Sequence, residues 1–351
     1  MEQRELVVVV PGSLDTRTGG YIYDTRIVLG LRSLGWRVDV RELHDSFPFP
    51  TAAALDDAAR VFDSLRRGAL VVVDGLALGA MPEVVERAAA RVRLVALVHH
   101  PLAAETGLDA DTAAALEHSE RQALAAVRRV IVTSPATVDA LGPYGVGRAN
   151  VSVIVPGVDA ANVAHGSTSN TVQLLCVGTL TPRKGHEVLL RALATLPDDR
   201  WHLTCVGSSD RDAATTSRLA EQLDTLELAG RVDFVGEADA AAVATYYDRS
   251  DVFVLPTFYE GYGMAVAEAL AHGLPVISTP TGGIASLVGA DAGVLVAAGD
   301  AAALAAALAR VIREPDLRSR LAAGAARVRA TLPTWDDAAR SFAAALATVP
   351  E

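Results

Sequence analysis

The chain holds only two cysteines, three methionines and three tryptophans among 351 residues, and aromatic side chains amount to 5%. So small a cysteine complement excludes a disulfide scaffold. Cys176 and Cys205 each sit inside an apolar run, Leu174-Leu175-Cys176-Val177 and Leu203-Thr204-Cys205-Val206, and read as buried small hydrophobes of a reducing compartment. No apolar stretch approaches the ~18 to 20 residues needed to span a bilayer. The start, Met1-Glu2-Gln3-Arg4-Glu5, carries both signs of charge before a short apolar run at 6–10, which reads as a strand and not a signal peptide. The one basic amphipathic segment, 26–37, has too few cations to hold an anionic membrane. Basic residues are also scarce, 31 Lys and Arg against 42 Asp and Glu, for a net charge of −11. A general nucleic-acid binder needs a basic face that releases counterions, so that class is set aside. The expectation is a soluble cytoplasmic chain with no nucleic-acid partner and no evident membrane association; its oligomeric state is not written in the composition.

What is present is enough apolar side chain, 51% of residues, for two cores at roughly 100 to 200 residues per domain. Short β-branched runs alternate with helix-length alanine, leucine and arginine segments, the pattern of parallel sheets with crossover helices. Strands are expected at 6–10, 38–41, 70–73, 94–98, 130–133 and 151–155, then again at 172–177, 203–206, 232–235, 252–255, 275–278 and 294–296. Their continuous apolar character places helices on both faces of each sheet. Residues 159–171 are mostly Ala, Asn, Gly, Ser and Thr without periodicity and read as a linker, putting a boundary near 165. The chain is thus expected to be α/β, with two doubly wound, Rossmann-like domains at 1–165 and 166–332 facing a central cleft, and a final helix in 333–351 that begins near Trp335. Ligands of such sheets gather beyond the C-terminal ends of the strands.

The residues after those strand ends carry the chemistry. After the first strand, Thr18-Gly19-Gly20-Tyr21-Ile22-Tyr23 opens a helix; paired glycines let amides approach an anion, or simply give a loop the turn it needs. The spacing is not the dinucleotide fingerprint. After the fourth strand, His99-His100-Pro101 offers either hydrogen-bonding and proton-transfer groups or a satisfied structural pair; no third ligand at zinc spacing accompanies it. Asp109 and Asp111 read as acidic residues at a helix start. After the seventh strand, Gly178-Thr179-Leu180-Thr181-Pro182-Arg183-Lys184-Gly185-His186 places two cations where a helix begins, against its dipole, and an anionic ligand is the usual reason. Arginine supplies a fork and lysine a point charge, a pairing suited to a diphosphate; the alternative is a solvated basic turn. The densest cluster is Pro256-Thr257-Phe258-Tyr259-Glu260-Gly261-Tyr262-Gly263-Met264-Ala265-Val266-Ala267-Glu268, where two carboxylates frame glycines whose amides open a helix. Thr279-Pro280-Thr281-Gly282-Gly283-Ile284 repeats the glycine theme as either site or turn.

Taken together, Gly19-Gly20, His99, Val155-Pro156-Gly157-Val158-Asp159, Gly178 to Gly185, Glu260-x7-Glu268 and Pro275-Val276-Ile277 with Gly282-Gly283 resemble the retaining glycosyltransferases of family 4, with the GT-B fold. The resemblance covers essentially the whole chain, and the paired glutamates are its most specific element. It implies a nucleotide diphosphate sugar, UDP- or GDP-linked, held mainly by the C-terminal domain, and an acceptor held by the N-terminal domain. By that likeness Arg183 and Lys184 neutralise the diphosphate, Glu268 accepts the ribose hydroxyls and Glu260 holds donor-sugar hydroxyls. Gly261, Tyr262, Gly263 and Met264 meet phosphate and sugar, Val235 and Gly236 border the base, Gly19 and Gly20 approach the diphosphate, and His99 is the active-site histidine. The final helix resembles the segment that returns to the N-terminal domain. Thr179 stands where many members carry Arg, and Ala285-Ser286 where many carry Glu, which leaves the sugar unspecified.

The expected activity is transfer of a sugar from that donor to a hydroxyl of a small-molecule or glycan acceptor, with retention, no metal and no cofactor. Cations and aligned amides stabilise the charge that develops on the leaving diphosphate. The alternatives are a catalytically silent nucleotide-sugar binder, against which the intact Glu260, Glu268, Arg183 and Lys184 argue, and a phosphorylase or epimerase on the same fold.

Overall fold

The structure is a computed structural model that describes residues 4–197 and 200–350. Runs rich in Val, Leu and Ile suit a pleated, buried surface, and among the described residues they form two six-stranded sheets. The first comprises β1 (Glu5–Pro11), β2 (Arg37–Leu43), β3 (Leu70–Asp74), β4 (Arg93–Val98), β5 (Arg129–Val132) and β6 (Val151–Val153). The second comprises β7 (Val172–Val177), β8 (Trp201–Val206), β9 (Val232–Phe234), β10 (Val252–Leu255), β11 (Val276–Ser278) and β12 (Gly293–Leu295). Every neighbouring pair is parallel. Central strands are buried on both faces, as Val71 to Val73 and Val252 to Leu255 show, because parallel sheets take helices on each side.

The strand orders are β2-β1-β3-β4-β5-β6 and β12-β11-β10-β7-β8-β9. The direction of winding therefore reverses between β1 and β3 in one sheet and between β7 and β10 in the other. At such a switch point the two crossovers leave on opposite faces and their loops separate, opening a crevice at the strand ends. The loops after β7 and β10 are those that carry Arg183, Lys184 and Glu260.

The chain divides into two units, Met1–Gly157 with Pro333–Glu351, and Val158–Leu332. The division falls at Gly157 and not near 165, which corrects the composition-based boundary. The polar segment is bound to the second unit by its own backbone: Ala164 N donates to His272 O at 2.8 Å and Gly166 N to Asp248 O at 3.0 Å. Asp251 adds to this, accepting from Ser167 N at 2.9 Å and Gln173 N at 2.7 Å.

The last helix, Trp335–Ala347, belongs to the first unit and packs on the helix Gly19–Ser33. Thr334 and Asp337 form a capping box that starts it, and Asp337 is held at about 2 by its hydrogen bonds from Thr334, with Arg340 adding to them. Phe342 and Leu346 are buried on its inner face, a contribution of about 1.5 to 3 kcal/mol each. Its first residue matters most: the Trp335 ring meets Tyr23 edge-on at 6.1 Å, and Tyr23 meets His99 edge-on at 5.4 Å. The returning helix therefore backs the ring of His99 through one tyrosine.

Gly157 admits this helix, since a Cβ there would lie 2.2 Å from the Trp335 amide nitrogen. Gly157→Ala is expected to destabilise the first unit by about 2 kcal/mol, within the range for overpacking. Equilibrium denaturation checks it, and an unchanged midpoint would contradict the account.

Candidate active site

In the second unit the site is built from two loops at the β7/β10 switch point. After β7 the chain makes one tight turn at Pro182–Lys184, and Gly185 then adopts a left-handed conformation, φ 74°, before the helix His186–Ala194. A Cβ on Gly185 would meet Pro256 O at 2.1 Å, so the two loops touch through a residue that only glycine can supply. Arg183 and Lys184 thus precede the helix, and the dipole conflict expected from the sequence is met by an internal anion. Glu260 Oε1 accepts from Lys184 Nζ, and Arg183 Nη1 lies 3.4 Å away while donating to Tyr259 O at 2.8 Å. Thr257 Oγ1 lies 3.4 Å from the same carboxylate oxygen. The three charged side chains are only 20%, 14% and 11% exposed for Arg183, Lys184 and Glu260, so they interact in a medium far less screening than water.

The Gly282-Gly283 turn braces this loop. A Cβ on Gly282 would fall 1.4 Å from Glu260 O, Gly283 would meet Tyr262 O at 2.7 Å, and Gly283 N donates to Gly261 O at 3.1 Å. Gly263, at φ 97°, caps the helix Met264–Ala271, whose first amides point out of the loop as an anion-binding end. Glu268, one turn into that helix, is held by Tyr247, whose hydroxyl donates to Oε2 at 3.0 Å. Val235, 38% exposed, follows β9. Gly236 O accepts from Gly207 N at 2.9 Å, and Gly207 in turn lies so close to Gly178 O that a Cβ would approach to 2.1 Å. Gly178, Gly207 and Gly236 therefore line the ends of β7, β8 and β9 as a row of bare backbone.

In the first unit the helix Gly19–Ser33, the end of β3 and the end of β4 converge on one histidine. His99 Nε2 lies 3.2 Å from Asp24 Oδ1 and 3.4 Å from Asp74 Oδ2. Both carboxylates are buried. Burial opposes a charged ring here, yet Asp24 and Asp74 outweigh it and hold His99 up at about 10. Burial raises Asp24 to about 6, partly countered by His99. Gly20 lets the ring in: a Cβ there would stand 3.3 Å from His99 Cδ2. Gly19 begins the same helix. His100 is aimed elsewhere, 3.6 Å from Glu105, and Asp109 caps the helix Ala110–Ala125 through Thr112 N at 2.8 Å.

Sequence reasoning found no third ligand for His99, whereas the fold supplies two carboxylates within reach. Asp74 ends an otherwise apolar strand and Asp24 follows the glycine-tyrosine motif directly; a charge in each of those places was the available signal. Lys184 is also the only lysine in the chain, beside 30 arginines.

Residues 25–162 match the family described as Glycosyltransferase Family 4, and residues 159–328 match the family described as Glycosyl transferases group 1. The D-inositol 3-phosphate glycosyltransferase of Thermomonospora curvata is 35% identical over 217 residues, 55% of this chain and 50% of that protein. The protein of that name from Rhodococcus jostii is 32% identical over 257 residues, 66% of this chain and 57% of its own. The chain spans about half the length of the curated relatives it matches. Among solved structures, sucrose-phosphate synthase from Thermosynechococcus elongatus superposes with a TM-score of 0.83 at 22% identity, covering 97% of this chain and 98% of that one. HepE of Anabaena in complex with UDP-glucose gives 0.76 at 18% identity, with 98% and 99% covered. At such identities the likeness is one of fold. With two glycosyltransferase families matching in succession along 25–328 and that fold beneath them, the chain belongs to the family-4-type glycosyltransferases of the GT-B class.

Proposed function

We propose that the chain transfers a sugar, with retention and without a metal, from a UDP- or GDP-sugar to a hydroxyl of a small-molecule or glycan acceptor. The observation that carries this reading is the pair Arg183 and Lys184, held by Glu260 at a switch point beside the amides that open the helix Met264–Ala271. A diphosphate carries more negative charge than one carboxylate. It would draw both cations and release Glu260 to accept hydroxyls of the donor sugar, while Glu268, fixed by Tyr247, accepts the ribose hydroxyls. HepE was solved with UDP-glucose, which supports a nucleotide sugar of that class for this chain as well.

Cleavage of the bond between the anomeric carbon and the diphosphate oxygen leaves negative charge on the leaving group. Arg183, Lys184 and the helix amides stabilise that charge as it forms. The acceptor oxygen bonds to the anomeric carbon from the same face, and its proton passes to the departing phosphate oxygen, so no carboxylate is needed as a nucleophile. The acceptor falls to the first unit. There His99, kept protonated by Asp24 and Asp74, acts as a cationic hydrogen-bond donor; it is a poor general base near neutral pH.

Calorimetry with UDP-, GDP-, ADP- and dTDP-sugars tests the donor class, since a ligand of the folded state also raises thermal stability. One clear binder is expected, and with it Lys184→Ala loses about 2 to 4 kcal/mol of transition-state stabilisation, by analogy with removal of an oxyanion donor. No binding by any of the four, or unchanged turnover in a folded Lys184→Ala, would overturn the reading.

The histidine gives a pH prediction. Its folded value of about 10 lies above the ordinary 6.5, so between those values the folded chain retains a proton that the unfolded chain releases. Its contribution to stability is full below the lower value and is lost as pH rises through the upper one. Imidazole NMR is expected to show His99 still protonated at pH 8, and Asp74→Asn to lower its titration. A ring that titrates near 6.5 in the unaltered chain would contradict the account.

A further inference from the structure

Both cysteines of this cysteine-poor chain meet beneath the cationic loop. Cys176 on β7 and Cys205 on β8 are cross-strand partners, both free and buried, and His186 Nε2 lies 3.5 Å from Cys176 Sγ. The two sulfurs and one ring nitrogen all lie within 4.8 Å of one another. Ligands of a tetrahedral zinc ion, at about 2.3 Å for sulfur and 2.0 to 2.1 Å for nitrogen, stand roughly 3.5 to 4 Å apart. A small inward shift therefore suffices.

We propose that Cys176, Cys205 and His186 form a binding site for a divalent d10 cation of the zinc group. Two thiolates and one neutral imidazole are a three-ligand set that zinc accepts with a fourth, exchangeable position. With a divalent ion that set is electrically neutral, which an apolar core tolerates where a net charge would be costly. The ring of His186 is itself buried with its Nδ1 unpartnered, and its Nε2, the atom that would ligate, is already turned to the sulfur of Cys176. His186 also borders a cavity of about 240 Å³, together with Thr181, Gly185, Arg191, Thr215 and Phe258. Cys176 precedes the loop of Arg183 and Lys184 and His186 follows it, so one ion would fasten both ends of that loop. The site is separate from the transfer chemistry and stands whether or not the second unit binds a nucleotide.

The test uses the full chain, refolded under reducing conditions with cadmium or zinc ion alone and then desalted. Elemental analysis is expected to find one ion per chain. The cadmium form should show a thiolate-to-metal charge-transfer band and a higher melting temperature than the metal-free form. Cys205→Ser and His186→Ala should each lower the affinity at least tenfold, and because the principal readout is on the unaltered chain, a variant that fails to fold does not protect the proposal. A folded chain with two reducible thiols that retains no stoichiometric ion overturns it. So does a chain found two mass units lighter, its cysteines joined as a disulfide that persists under those conditions.

Discussion

One carboxylate organises the second unit's site. Glu260 is nearly buried, and its charge is tolerated because Lys184 and Arg183 face it and the Thr257 hydroxyl lies beside it. Removing either cation from such a cluster leaves a poorly solvated charge, which costs far more than the pair contributes over an apolar replacement. Neither cation is free to drift into solvent, so a diphosphate would meet side chains already in place and would bear little of the cost of ordering them. The glycines at 185 and 282 serve the same end. Each lets one loop's backbone press on the other, and a side chain at either position would displace the carboxylate's own segment.

The first unit solves a parallel problem with opposite signs. Two buried carboxylates would be mutually repulsive at the end of β3 and within the helix Gly19–Ser33, and a protonated ring between them neutralises part of that charge. His99 is further fixed by Tyr23, which is backed by Trp335 of the returning helix. In both units the charged group reaches its position because the strand order reverses there, so topology and not sequence proximity assembles each cluster.

This explains what was legible in the sequence. All twelve strands could be read, because continuous Val, Leu and Ile runs have few alternatives when both faces are covered. Arg183, Lys184, Glu260 and Glu268 were legible because charge beside glycine after a buried strand violates the local pattern. Asp24 and Asp74 were not singled out, since the first looks like any helical residue and the second like a strand terminator; only the β1/β3 switch point brings them to His99. The boundary near 165 failed for a similar reason. Its polar residues look like a linker, but their backbone hydrogen bonds go to His272, Asp248 and Asp251, far along the chain. The turn at Pro182–Lys184 looks like a helix start in the sequence, because a glycine there does not by itself announce the left-handed conformation that separates turn from helix.

The central claim is that Lys184 exchanges an internal carboxylate for a ligand's diphosphate. Because the chain has a single lysine, reductive methylation with carbon-13 formaldehyde labels one side-chain amine, distinguishable from the terminal amine, while keeping its charge. Titration with UDP alone should move the Lys184 dimethylamine resonance saturably, and Glu260→Gln should move it in the absence of UDP. A resonance indifferent to UDP at millimolar concentration, in a chain that calorimetry shows to bind UDP, would contradict the account.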